Sequence, residues 1–382
     1  MLEMSSVDHI FHRIHLLIAE GQEDKALAAL EQVSASDACQ KREAAYLRAW
    51  CATLSGHWDA AAALLSGDDG SGQGSVDLQA LGQTERRRRA HYLLVLGQTA
   101  SELGQYEEAT RHYTQCIKFL DERRMNISSV RIKACCGLGA AYTQTGFYTL
   151  ALTQYEDALH LSSTGSAHSK VLDIYVGLCD VHRCLGHFGL ALTYGKRALQ
   201  LCGERADTSL EGRIHTLLGR VCDQMHAFQE AASHYTEALE LAKRVHTPVL
   251  ILTNLTALAT VRLEEGLLDE AQCLYEQALE CLPCVSDARL VGALYMLGGQ
   301  LAEADRSANE QAGASFEEAI GCYRKAETAF ASTQARAELA EVYGRLAQIF
   351  EAAGRQNEAI ACWKSAYTLY VRLEESASLL MG

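Results

Sequence analysis

The sequence predicts an all-α protein built from stacked pairs of helices, and three observations carry that prediction. Proline, which breaks helices by removing a donor and clashing with the preceding turn, occurs in 382 residues only at Pro248 and Pro283. Alanine, leucine, glutamate and glutamine, which favour helices, are frequent along the whole chain. A pattern of small residues recurs, with turn positions at 146, 186, 226 and 266, each 40 residues apart. A fixed period in this range is typical of repeat arrays.

Each unit of the pattern is predicted to form a helix, a short turn and a second helix. The clearest copy is LGAAYTQTGFYTLALTQYEDAL, residues 138–159, which we number so that Gly139 is position 8. Small residues at positions 8, 20 and 27, here Gly139, Ala151 and Ala158, let the two helices approach closely. Position 15, here Gly146, ends the first helix, where a left-handed residue is favoured. Further copies surround Gly104, Gly186, His226 and Gly266, and weaker ones surround Gly21, Gly56, Gly298 and Gly354.

The pattern and the composition divide the chain into four predicted parts. Residues 1–65 hold two weak N-terminal helix pairs, and 66–84 form a flexible loop rich in Gly, Ser and Asp. Residues 85–370 form the main array, and 371–382 form a C-terminal tail. About nine residues are inserted near 302–315, which predicts either an extended first helix or a protruding loop. The 66–75 segment lacks the residue spacing of a calcium loop.

The repeated positions resemble the tetratricopeptide repeat (TPR) over roughly residues 7–370. The residues that carry the resemblance are Leu138, Gly139, Tyr142, Gly146, Tyr148, Ala151, Tyr155 and Ala158, with Pro283 at the family's closing proline. The 40-residue spacing is similar to kinesin light chains, Leu-Gly-Asn-type adaptors and bacterial TPR regulators. The resemblance implies a superhelical solenoid of about nine repeats, in which the first helix of each pair lines a concave groove.

In that fold, positions 2, 5, 9 and 12 of each first helix point into the groove and are the candidate ligand contacts. They include Gln98, Lys133, Thr143, Asp180, Arg183, Arg213, Arg220, Asp223, Thr256 and Thr260. The cations would donate to an extended peptide and the aspartates would accept from it. Alternatively, these opposite charges pair with each other across neighbouring repeats. Position 9 never holds the asparagine of the clamp that binds chaperone tails, so such a tail is not the expected ligand.

No catalytic motif is visible, so we expect no catalytic residues, no cofactor and no metal site. Cys281 and Cys284 form a CxxC at the end of a predicted helix, whereas a reactive thiolate needs a helix N-terminus. The Cys179–His187 stretch contains metal-ligand residue types, but Cys179 falls at packing position 8. Cys116, Cys135 and Cys222 fall at apolar positions as well, which predicts reduced, buried thiols.

The net charge of −14 disfavours nucleic acid and anionic membranes as partners. The basic run Arg86–Arg89 is interpreted as a solvated helix start. We see no signal peptide and no apolar segment long enough to span a bilayer, so a cytoplasmic protein is expected.

The predicted function is a noncatalytic scaffold or adaptor that binds a protein or an extended peptide in its groove. The alternative is a sensor or regulatory subunit that binds a peptide or effector and switches a partner enzyme or transcription factor. The oligomeric state is left open.

Overall fold

The computed structural model describes residues 10, 13–14, 23–33, 44–45, 47–52, 83–122, 125, 127–164, 170–203, 207–308, 312–333 and 335–379. Within these ranges the secondary structure is helical and contains no strand, which confirms the predicted all-α fold. Residues 66–82 of the predicted loop, and much of the predicted N-terminal helix pairs, lie outside the described residues. The chain divides into an N-terminal unit, Met1–His187, and a C-terminal unit, Phe188–Gly382, and we describe each by itself.

The N-terminal unit contains six described helices beyond short helical fragments. They are α1 (Glu23–Glu31), α2 (Gln83–Glu102), α3 (Tyr106–Glu122), α4 (Ser128–Gln144), α5 (Tyr148–Thr164) and α6 (Val171–Cys184). Helices α2 and α3 pack as one pair and α4 and α5 as the next, and α6 packs against both α4 and α5. The buried cluster shared by α2, α3 and α4 consists mainly of alanines and leucines, together with Tyr113, Cys116 and Phe119.

The C-terminal unit continues the same pattern of helix pairs. Its helices are α7 (Phe188–Gly203), α8 (Thr208–Gln224), α9 (Phe228–Arg244), α10 (Pro248–Glu264), α11 (Leu268–Cys281), α12 (Ala288–Ala308), α13 (Ala312–Ala331), α14 (Arg336–Ala352) and α15 (Gln356–Leu379). A 3-10 turn at Leu282–Cys284 follows α11. The second helices α9, α11 and α13 each pack against their own first helix and against the first helix of the next pair.

Tyrosines at position 24 are held between glycines of two successive first helices. The ring of Tyr155 lies so close to Gly139 on α4 that an added Cβ would come within 2.8 Å of it, and it crowds Gly177 on α6 in the same way. Tyr113 lies between Gly97 and Gly137 in an equivalent arrangement. The position 8 glycines therefore have the predicted packing role. The glycines that face the same tyrosines from the next repeat were not predicted.

The turn at position 15 has the expected left-handed backbone. Gly146 has φ of 85°, and His226, which replaces the glycine in a later repeat, has φ of 58°. A side chain at such a position costs about 1–2 kcal/mol relative to a right-handed residue. The repeat therefore imposes this backbone conformation even where the sequence does not supply a glycine.

The insertion predicted near 302–315 lengthens both helices of its pair. Helix α12 has 21 residues and α13 has 20, against 17 in both α8 and α9, and residues 309–311 lie outside the described ranges. Gly299, rather than Gly298, lies against Tyr323 of its own pair, which shifts the predicted repeat numbering there by one residue. Helix α15 extends through Leu379, so most of the predicted tail is helical.

The cysteines that the structure describes are free thiols, and Cys116, Cys135, Cys179 and Cys222 are buried as predicted. Burial raises the pKa of the Cys116 thiol to about 12. Helix α11 ends at Cys281, so the CxxC does lie at a helix C-terminus. Among the described residues, none of the helices is long and apolar enough to cross a membrane.

Candidate functional site

The candidate contacts lie on the first helices of the pairs. In the N-terminal unit they lie on α2, α4 and α6, and in the C-terminal unit on α8 and α10. Gln98 on α2 is half-buried, and Lys133 on α4 is exposed at its surface. Partial burial of the Lys133 side chain is the main cause that lowers the pKa of Lys133. Repulsion from Lys170 lowers this pKa further, and attraction to Asp173 opposes the decrease.

Two candidate charges of α6, Asp180 and Arg183, neutralise each other. The Arg183 guanidinium donates from Nε at 3.0 Å and from Nη2 at 2.7 Å to the same Asp180 carboxylate oxygen, and both side chains are half-buried. Nη2 also lies 3.1 Å from the sulfur of Cys184. The alternative of internal pairing is therefore realised here, but within one helix rather than between neighbouring repeats. Neither Asp180 nor Arg183 is free to bind a ligand without breaking this pair.

Thr143 on α4 has to be removed from the candidate set. Its side chain is buried, and its hydroxyl donates to the Gly139 carbonyl at 2.8 Å. Threonine in a helix commonly satisfies its hydroxyl on the preceding turn in this way. Thr260 on α10 likewise donates to the Thr256 carbonyl at 2.9 Å, and the residue as a whole is half-buried.

The arginines of α8 differ from that of α6. Arg213 and Arg220 are both exposed, and neither forms an ion pair with any residue in the described part of the chain. They lie seven residues apart on one face, which corresponds to about 10.5 Å along the helix axis. Free guanidinium groups present planar sets of donors that match carboxylates. This spacing gives α8 two separate anchor points for anionic groups.

Two carboxylates lie close together at the C-terminal end of the same face. Burial and then the neighbouring charge of Glu264 on α10 raise the pKa of Asp223, while His226 opposes the shift. Glu264 is exposed and Asp223 is half-buried. The α8–α10 face, defined here by Arg213, Arg220, Asp223 and Glu264, therefore carries cations along α8 and anions at its end.

A buried polar contact fixes α8 relative to α10 beneath this face. The Thr216 hydroxyl lies 3.0 Å from Oδ1 of Asn254 and 2.9 Å from the Gly212 carbonyl. Asn254 is fully buried, and its amide donates to the Leu250 carbonyl at 2.8 Å. Sequence reasoning missed Asn254 and Glu264. The one sequence signal that could have identified Asn254 is that a polar residue occupies a core position of an otherwise apolar helix.

The two candidate threonines of α10 offer little to a ligand. The hydroxyl oxygen of Thr256 is buried and has no hydrogen-bond partner among the described residues, whereas that of Thr260 is bonded to its own helix.

Around the Cys179–His187 stretch, the rings of His182 and His187 lie 5.7 Å apart. The described residues contain no group of three or more metal-ligand side chains suited to a metal ion.

Family models of the tetratricopeptide repeat match residues 170–244, 210–283 and 90–119. The matches include α8 to α11, whereas the copy at residues 138–159 lies between the matched segments. Residues 90–119 and 170–283 therefore contain tetratricopeptide repeats, which confirms the resemblance over these residues.

Curated relatives share part of this array. Outer dynein arm-docking complex subunit 4 of Homo sapiens is 23% identical over 151 residues, and that of Mus musculus is 22% identical over 151 residues. The match covers 40% of this chain and 22% of the human protein or 23% of the mouse protein. The chain thus spans less than a quarter of the length of these relatives.

Solved structures are similar in fold over nearly the whole chain. A Rap protein complexed with Competence and Sporulation Factor has a TM-score of 0.71 at 12% identity, covering 97% of this chain and 98% of its own. The quorum sensor NprR from B. thuringiensis, in its apo form, has a TM-score of 0.66 at 15% identity over 95% of this chain and 97% of its own. NprR in complex with its cognate peptide NprX has a TM-score of 0.66 at 15% identity, and the match covers 96% of this chain and 99% of the NprR chain. At these identities the similarity concerns the fold alone.

Proposed function

We propose that this chain is a noncatalytic TPR scaffold that binds an extended peptide or protein segment, and that the α8–α10 face is its binding site. The observation that carries the proposal is the pair of unpartnered arginines, Arg213 and Arg220, on a first helix of the array. Both side chains are exposed, so their donors are accessible to a ligand. The free thiols fit a reducing compartment, and we place the protein in the cytoplasm.

The spacing of the arginines selects the chemistry of the ligand. A peptide in the polyproline II conformation advances about 3.1 Å per residue and returns to the same face every three residues, so acidic side chains three residues apart lie about 9.3 Å from each other. This approaches the separation of about 10.5 Å between the two arginines on α8. Each arginine would hold one carboxylate by charge-assisted hydrogen bonds. Beyond Arg220, Asp223 and Glu264 would accept a basic side chain. We therefore propose a peptide with two acidic residues three apart, followed by a basic residue.

The comparisons support a peptide ligand. Two of the solved structures similar in fold are complexes, one with Competence and Sporulation Factor and one with a cognate peptide. The curated relatives are subunits of a docking complex, which is a protein-binding role. These similarities support binding of a peptide or protein in general, and the arginine spacing adds the preference for acidic residues.

A second candidate function is a peptide sensor that switches a partner enzyme or transcription factor. The similarity to the quorum sensor NprR over 95% of this chain favours it. A sensor of this kind has to change conformation when the peptide binds. X-ray scattering of the full chain with and without a bound peptide distinguishes the two roles, because an unchanged radius of gyration contradicts the sensor and leaves the scaffold.

The binding proposal is tested with a random peptide library displayed against the purified full chain. We expect enriched peptides to carry Asp or Glu at positions i and i+3. The double variant Arg213→Glu/Arg220→Glu should lose this enrichment. Arg197→Glu/Arg244→Glu makes the same charge change at exposed arginines away from the face and should retain it. Equal enrichment by both double variants would contradict the assignment of the site.

A further inference from the structure

Two histidines of the C-terminal unit face each other within one helix pair. Nδ1 of His215 on α8 lies 3.1 Å from Nδ1 of His234 on α9, and the planes of the two rings are inclined at 47°. Both residues are half-buried, so part of each remains accessible to small ions. Helices α8 and α9 pack closely along their length, and their backbones hold the two nitrogens near each other.

The packing of the array does not require imidazoles at this crossing. His215 and His234 occupy positions 4 and 23 of their repeat, and the next pair, α10 and α11, has Leu255 and Leu274 at the same positions. Leu255 is buried in an apolar cluster, and Leu274 packs against that cluster. The same crossing is thus filled without polar atoms one repeat later. The two histidines add a chemistry that the helix packing does not need.

The distance between the two nitrogens is close to the spacing of two ligands on one metal ion. Zinc binds histidine nitrogens at about 2.0–2.1 Å in tetrahedral geometry, which separates two such nitrogens by about 3.3–3.4 Å. The 3.1 Å between the Nδ1 atoms of His215 and His234 is shorter than this by about 0.2–0.3 Å. The second side-chain torsion of histidine is broad, so a small rotation of either ring closes the difference.

The charges around the pair favour a cation. Burial lowers the pKa of both His215 and His234, so both rings are neutral at pH 7 and keep lone pairs for a metal. Three carboxylates interact electrostatically with the rings and oppose this shift, namely Glu211, Glu230 and Glu237. One ammonium group, that of Lys196 on α7, acts in the other direction on His234. The surrounding charge is therefore negative on balance.

We propose that His215 and His234 bind a divalent transition-metal ion of the zinc type through their two Nδ1 atoms. Imidazole nitrogens suit zinc, copper and nickel. In the contact between two neutral rings, one Nδ1–H donates to the other Nδ1. When the ion binds, the donor ring carries this proton on Nε2 instead, so both Nδ1 lone pairs face the metal and the number of bound protons is unchanged. The described residues supply no third ligand, so water completes the coordination.

The metal site is separate from the proposed peptide-binding face. His215 follows Arg213 by two residues, and successive residues of a helix are turned by about 100°, so the two side chains point about 200° apart around α8. The site therefore does not depend on binding at Arg213 and Arg220. Sequence motifs did not indicate it, because the two histidines are 19 residues apart, whereas histidine ligands on one helix have about three to five residues between them.

Calorimetric titration of the full chain with zinc chloride tests the proposal, using protein that is free of affinity tags and treated with chelator. His215→Leu/His234→Leu copies the Leu255 and Leu274 pair of the next repeat, so it should keep the helical circular dichroism and bind one zinc ion fewer. Each single variant should weaken this site at least about tenfold. His160→Gln/His246→Asn removes two exposed histidines elsewhere and should bind zinc like the parent.

Chemical modification of the unaltered chain supplies the second measurement. Diethyl pyrocarbonate acylates a ring nitrogen that has a free lone pair, and a ring with metal on Nδ1 and a proton on Nε2 has none. Mass spectrometry should therefore show that zinc protects His215 and His234 but leaves the modification of His160 unchanged. The proposal is overturned if the parent binds no zinc, if the double leucine variant binds as many ions as the parent, or if zinc does not protect the pair.

Discussion

Helices α6 and α8 carry an arginine and an aspartate at the same two repeat positions but in opposite order. On α6, Asp180 at position 9 precedes Arg183 at position 12, and the two form an ion pair. On α8, Arg220 at position 9 precedes Asp223 at position 12, and no ion pair joins them. An arginine that precedes its acid can also pair, because Arg262 pairs with Glu265 and Arg324 with Glu327, at 2.6 Å in each case. The difference on α8 is that Arg220 stays unpaired within the described part of the chain and that Asp223 lies near the charge of Glu264.

The largest expected effect comes from giving α8 the charge order of α6. In the variant Arg220→Asp/Asp223→Arg the new pair should form, so the anchor at position 220 is lost. Affinity for an acidic peptide from the library should fall about a hundredfold, since hydrogen bonds to charged groups contribute about 1.5–3 kcal/mol. Fluorescence anisotropy with a labelled peptide measures the change.

The reciprocal exchange is the control for that prediction. Asp180→Arg/Arg183→Asp alters the N-terminal unit only and should leave the affinity within about twofold of the parent. If both exchanges weaken binding equally, charge order on α8 is not what selects the ligand.

Removing the buried contact between α8 and α10 should give the next largest effect. Thr216→Val leaves Oδ1 of the fully buried Asn254 without its hydroxyl donor, which costs about 1–3 kcal/mol. Thr260→Val removes a hydroxyl that bonds only its own helix and should cost less than about 0.5 kcal/mol. Urea unfolding of the two variants measures the difference. Equal losses would show that the contact does not hold the two helices together.

The two aspartates should respond with opposite signs to neutralisation. Asp180→Asn breaks the ion pair with Arg183 and should destabilise by about 0.5 kcal/mol at neutral pH, a small value because the pair is partly exposed. Asp223→Asn removes a carboxylate repelled by Glu264 and should stabilise by about 0.3 kcal/mol. Thermal unfolding at neutral pH should move the two melting temperatures in opposite directions.

The smallest effect is the pH dependence of the Asp223 contribution. Burial and Glu264 raise its pKa above the ordinary 3.8, so the folded state binds this proton more tightly than the unfolded chain. The stability contributed by Asp223 therefore falls as pH rises through the raised pKa. The gain from Asp223→Asn should be full at pH 7 and shrink as pH falls toward 3.8. A gain that is constant over this range would mean that titration of Asp223 is not its cause.

Much of the fold could be predicted from local pattern. Gly146 and its equivalents recur every 40 residues in the middle of the chain because each helix pair must end its first helix with a left-handed residue. The same spacing identified Ala151 and Ala158 as packing residues, and both are buried. The candidate site was harder, because pattern names the face of a helix but not the partner of a side chain. Thr143 lies on the predicted face, yet its hydroxyl is used by its own helix.

The sequence by itself determined the repeat, the all-α class and which helices carry the candidate contacts, since these depend on residues close together in the chain. Only the tertiary structure decided that Asp223 faces Glu264, 41 residues later, and that Asn254 fixes α8 against α10. It also placed Nδ1 of His215 against Nδ1 of His234, 19 residues later. The physical reason is that the polar partners and the burial of a side chain depend on which helices pack together. The distance and the register between two packed helices are set by the side chains of both helices.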